Sequence, residues 1–101
     1  MQNITVQELK RRKEANEELY ILDVREPAEY AEVNIGAVLI PLGQVMNAQI
    51  DDIEDWKDKE VIVHCRSGKR SLTACMMLEQ LGFTNTKNLE GGIIAWEELN
   101  K

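Results

Sequence analysis

Residues 61–83 read "VIVHCRSGKRSLTACMMLEQLGF". Val61, Ile62 and Val63 are β-branched and apolar, the short unbroken run of a buried strand. Past Ser71 the spacing turns helical. Leu72, Cys75, Met76, Leu78 and Leu81 predict a core-facing stripe, with Gly82 closing the helix. A buried strand leading into a helix is half of a βαβ unit, the building block of parallel sheets. In such sheets ligands bind beyond the carboxyl ends of the strands. Cys65 stands at one of those ends, followed by Arg66, Ser67, Gly68, Lys69 and Arg70.

The chain on both sides keeps the same alternation. "TVQELKRRKE" (5–14) predicts a surface helix with Thr5 and Glu8 spaced as a capping box. "LYILDV" (19–24) predicts a buried strand. "EPAEYAE" (26–32) carries Pro27 where a first helical turn tolerates it. "AVLIPL" (37–42) predicts a strand stopped by Pro41, and "LGQVMNAQI" (42–50) a weak helix. "DDIEDWKDKE" (51–60) is expected to be an acidic surface connection. "TNTKNLEGG" (84–92) holds a short strand and a turn, and "IIAWEELNK" (93–101) a last helix. The pattern predicts an α/β fold with a mostly parallel sheet.

The length of 101 residues suits one compact domain, 1–101. A hydrophobic content of 44% and a charged content of 30% are those of an ordinary globular protein. The net charge of −6 argues against general binding to nucleic acid or to an anionic membrane surface. No apolar run approaches the roughly 20 residues of a membrane span. The opening residues carry no apolar segment of a secretory signal. Two cysteines, Cys65 and Cys75, do not make a disulfide scaffold, so a reducing, cytoplasmic setting is expected. With the lone His64 they cannot fill a four-ligand zinc site, and no metal or organic cofactor is expected.

The loop has its own chemistry. Thiolate is the reactive form of cysteine, and its pKa falls beside cations and at helix N-termini. Cys65 is predicted to have both: the next helix starts near Lys69–Ser71, and no acidic residue lies between Glu60 and Glu79. Gly68 permits the backbone angles that turn successive N–H groups inward around an anion. Cys75, mid-helix among apolar residues, is expected to be core packing. His64 adjoins Cys65 on a strand, so it is expected to face the other way and to be structural. Asp23 and Arg25 are alternate residues at a strand end and are expected to pair as support for neighbouring loops. Trp96 is expected in the core.

Three anion-binding patterns can be compared with the loop. A Walker loop needs a glycine five residues before Gly68, where Val63 stands. A tyrosine-type phosphatase needs Cys-x5-Arg, and position 71 is Ser71. The third pattern is a sulfur-carrying cysteine loop. Here "CRSGKRS" resembles the active-site loop of rhodanese-homology domains, the sulfurtransferases. "ILDVREPAEY" resembles that family's Asp-Val-Arg strand end, "IPLGQV" the segment after its second strand, and "NLEGGIIAW" its Gly-Gly-x-x-x-Trp close, here Gly91, Gly92 and Trp96. These landmarks follow the family order over nearly the whole chain. One departure is "EVNIGAVLIPL", with Asn34 where many members have histidine in a mainly structural turn.

The resemblance implies a rhodanese-like three-layer domain: a five-stranded parallel sheet with helices on both faces. It implies that Cys65 is the nucleophile and that Arg66, Ser67, Gly68, Lys69, Arg70 and Ser71 bind the substrate. Related phosphatases carry a loop one residue longer, ending in arginine. The shorter loop suits a persulfide. The expected activity moves a sulfane sulfur from a small anionic donor such as thiosulfate to a thiol or cyanide acceptor. The alternative is a persulfide carrier that serves a partner protein and has little activity alone; in either case a protein sulfur acceptor is a candidate partner.

Overall fold

The computed structural model describes all residues, Met1–Lys101. Five strands form one sheet: β1 (Gln2–Ile4), β2 (Tyr20–Asp23), β3 (Val38–Leu39), β4 (Glu60–His64) and β5 (Asn85–Leu89). Their order is β1-β5-β4-β2-β3, and every pairing is parallel. The apolar run 61–63 therefore lies in the central strand, β4. Val61, Ile62 and Val63 are each 0% exposed, because helices cover both faces of the sheet.

Alternation along β4 divides the interior into two cores. Val61, Val63 and Cys65 face α3 (Leu42–Met46) and α4 (Lys69–Gln80), where they pack with Leu22, Val45, Ala74, Cys75 and Leu78. Ile62 faces the other side, packing with Val6 and Leu9 of α1 (Val6–Glu14) and Ile93 of α5 (Gly92–Leu99). Each fully buried aliphatic side chain contributes about 1.5–3 kcal/mol. The remaining helix, α2 (Pro27–Glu32), follows β2 with Pro27 in its first turn, as expected.

Four features differ from the sequence expectation. The edge strand β1 was not legible: it has three residues, of which only Ile4 is buried, and it exists through its pairing with β5. The stripe of α4 is phased differently. Its buried face is Ser71, Ala74, Cys75 and Leu78, while Leu72 and Met76 are exposed. A buried serine hides the true phase, because the apolar pattern counts it as surface. The acidic connection is not only surface: Asp51–Trp56 form a 3₁₀ helix in which Ile53 is fully buried and Trp56 packs edge-on to Tyr20. The capping box of α1 is half made. Thr5 Oγ1 accepts from the Glu8 amide at 3.1 Å, but the Glu8 carboxylate turns to Arg11. No helix is long and apolar enough to cross a membrane.

Candidate active site

β4 ends at His64, α4 begins at Lys69, and the loop between them carries Cys65. Two of its carbonyls point away from the sulfur. The amides of Ile93 and Ile94 donate to the carbonyls of Cys65 and Arg66 at 2.9 and 3.2 Å. These are orphan N–H groups of the first turn of α5, and the loop satisfies them. With carbonyls turned out, amides can turn in: Gly68 N–H donates to Cys65 Sγ at 3.1 Å and Ser71 N–H at 3.4 Å. The turn needs Gly68, whose φ of 107° is left-handed backbone that a side chain would strain.

Ser71 adds its hydroxyl, 3.4 Å from Sγ. That oxygen also lies 2.5 Å from Asn88 Oδ1, and the Asn88 amide group donates to the Gly68 carbonyl at 3.2 Å. Asn88 therefore fixes both ends of the cradle. The hydroxyl has one proton, and in this arrangement the shorter contact, to Asn88, holds it. Ionisation of the sulfur gives the hydroxyl a reason to rotate toward it.

Cys65 is only 1% exposed. Burial alone pushes a thiol pKa up, yet that of Cys65 is lowered. The Ser71 hydroxyl and the amides of Ser71, Gly68 and Ser67 outweigh burial by bonding the charged form. Hydrogen bonds thus activate the thiol more than the flanking cations do. Cys75 lacks such a cradle, and burial pushes its thiol up to about 11. Ser71→Ala is expected to move the thiolate transition of Cys65 to higher pH, read as the midpoint of the alkylation rate against pH. An unchanged midpoint would mean that the backbone amides hold the sulfur alone.

The other expected residues are placed as follows. Arg66, Ser67 and Lys69 are exposed at the loop surface. Arg70 is partly buried and forked onto the Glu29 carboxylate at 2.8 and 3.0 Å. A cleft of about 450 Å³ runs beside the loop between α2 and α5, walled by Glu29, Glu32, Arg66, Ile94 and Glu97. Asp23 and Arg25 pair as expected, at 2.8 Å and nearly without exposure. From there Arg25 donates to the Val33 carbonyl at 2.6 Å and the Glu29 carbonyl at 3.4 Å, so the pair anchors α2.

His64 is fully buried on the face opposite Cys65. Its Nδ1 is 3.5 Å from the Cys65 carbonyl and its Nε2 3.6 Å from Asp23. Burial lowers its pKa, with Asp23 opposing, so the ring is neutral near pH 7. It touches the backbone of Cys65, not the sulfur. Trp96 is half-buried against the second core.

Two parts of the site needed the structure. Asn88 stands in "TNTKNLEGG", and its only local signal is a polar residue in a strand. Gly92 was legible as a motif but not as the residue that lets α5 meet the loop.

The arrangement can be compared with known proteins. Residues 5–99 match the family model described as "Rhodanese-like domain". A Bacillus subtilis protein named "Putative sulfurtransferase YtwF" is 44% identical over 98 residues, covering 96% of this chain and 91% of the relative. An Allochromatium vinosum protein named "Sulfurtransferase" is 38% identical over 94 residues, covering 92% and 85%. A Staphylococcus aureus crystal structure described as a rhodanese-like domain protein superposes with a TM-score of 0.84 at 32% identity, covering 95% and 91%.

Proposed function

Since the chain belongs to the rhodanese-like domain family, we propose that it moves sulfane sulfur from a small anionic donor such as thiosulfate to a thiophilic acceptor through a persulfide on Cys65. The observation that carries this reading is the cradle. Amides of Gly68 and Ser71 and the Ser71 hydroxyl converge on one sulfur, and position 71 lacks the arginine of a phosphatase loop.

The thiolate attacks the outer sulfur of the donor. A new S–S bond forms to Cys65, the donor's own S–S bond breaks, and sulfite leaves with the bonding pair. An acceptor thiolate, or cyanide, then attacks the outer sulfur of the persulfide. Cys65 leaves as thiolate and the acceptor carries the sulfur. This is covalent catalysis in two halves, so ping-pong kinetics are expected. The inward N–H groups stabilise the anionic sulfur in both halves, as an oxyanion hole stabilises oxygen. Arg66, which borders the cleft, and Lys69, exposed on the loop, draw in the anionic donor.

Intact mass of the reduced protein, before and after thiosulfate, tests the reading. Gain of one sulfur atom, returned on adding cyanide or a small thiol, is the expected result. A folded protein that gains nothing from thiosulfate would overturn thiosulfate as donor. Failure with persulfide donors as well would overturn the transferase reading.

A further inference from the structure

Arg66 and Lys69 are exposed and make no ion pair, but Arg70 is engaged. Both oxygens of Glu29 meet its guanidinium in a two-point fork, and the two side chains are 34% and 31% exposed. Arg70 directly precedes Ser71, whose amide and hydroxyl face the sulfur, and its charge is attracted to that of Cys65. Glu29 also walls the cleft that Arg66 borders. A carboxylate edge offers a guanidinium two oxygens, and so does the SO₃ end of thiosulfate or sulfite. Glu29 therefore occupies the group that an arriving anionic donor would use.

We propose that Glu29 is a specificity-determining residue: its carboxylate is a built-in competitor that holds Arg70 until an anionic sulfur donor displaces it. The inference rests on the sulfurtransferase reading above. Glu29 weakens the protein's grip on anionic donors without touching the sulfur chemistry, and it keeps sulfite, the anionic product, from lingering. The competitor does not titrate away in ordinary buffers, because the Arg70 fork holds the Glu29 carboxyl at about 2.

The fold permits a clean test, because α2 does not depend on the fork for its position. Arg25 holds the Glu29 and Val33 carbonyls, and the Glu26 amide bonds Glu29 Oε1 at 3.0 Å, a bond that glutamine can also accept. Steady-state kinetics with thiosulfate would be measured for the wild type, Glu29→Gln, Arg70→Gln and the double variant. Glu29→Gln is expected to lower KM for thiosulfate about two- to fivefold, the range of a part-exposed ion pair, with kcat changed less than about twofold. Arg70→Gln is expected to raise KM, and in that background Glu29→Gln should do nothing.

An ion pair that only holds the fold would give a lower Tm and a KM unchanged or raised in Glu29→Gln, which would overturn the competitor. Should the glutamine variant fold poorly, Glu29→Asp, one methylene short of the fork, is expected to lower KM in the same direction. Sulfite binding by calorimetry to Cys65→Ala, with and without Glu29→Gln, reads the same competition without turnover; equal affinities would overturn it. A wild type that accepts no sulfur from any donor sinks the transferase reading, whereas one that transfers sulfur with a KM insensitive to Glu29 sinks only the competitor.

Discussion

Cys65→Ser is expected to abolish sulfur transfer, by at least about 10⁴-fold, with little change in Tm. On the proposed mechanism, loss of the Cys65 thiolate removes the covalent step itself, not one contribution to it. Serine fits the same space and can accept from the same Gly68 and Ser71 amides, so the loop should hold its shape. Its oxygen remains protonated at neutral pH and forms no stable bond to a sulfane sulfur. Cys75→Ser supplies the contrast. Cys75 is fully buried, and its thiol, held up near 11, is un-ionised in ordinary buffers, so transfer should persist in a folded variant. The measurements are initial rates with thiosulfate and cyanide, and persulfide mass on each variant. Residual turnover within about tenfold of wild type in Cys65→Ser would mean that another group carries the sulfur.

What the sequence disclosed follows from how local each cause is. The cysteine loop is legible because its parts are covalent neighbours: a strand end, a cysteine, a glycine and a helix start occupy seven consecutive residues, 65–71. Opposite facing of His64 and Cys65 follows from strand alternation and needs no tertiary information. Asn88 is different. It reaches the loop because β5 lies beside β4 in a register that pairs Val63 with Asn88, and register is a property of the folded sheet. Glu29 likewise meets Arg70 across 41 residues of sequence, through α2 and α4. β1 has too few residues to carry a pattern of its own. Ser71 made the phase of α4 misleading because a polar residue is buried there against the Cys65 sulfur, and periodicity arguments fail where a buried position is polar. The fold class was therefore readable from alternation. The second layer of the site was not.

Gly92 carries the second large effect. It opens α5 with a φ of 55°, and a Cβ built there would lie 2.4 Å from the Cys65 carbonyl oxygen and 2.5 Å from that of Arg66. Both contacts are to backbone, so no side chain can swing aside. Gly92→Ala is therefore expected to combine left-handed strain of about 1–3 kcal/mol with overpacking of about 1–3 kcal/mol. In a domain of this size that lowers Tm by at least about 10 °C.

The consequence for chemistry is separate from that for stability. If the loop yields instead of the helix, the Cys65 and Arg66 carbonyls leave the Ile93 and Ile94 amides. The inward amides then lose their aim at the sulfur, and the thiol pKa rises. Gly91→Ala separates the two effects. Its added Cβ meets the Ala95 Cβ at 2.6 Å, within α5 and away from the loop, at a φ of 74°. Both variants should melt earlier. Only Gly92→Ala should also shift the alkylation midpoint of Cys65 upward and slow persulfide formation in the protein that remains folded. Equal thiol reactivity in the two would mean that the seam between α5 and the loop supports the fold without aiming the cradle.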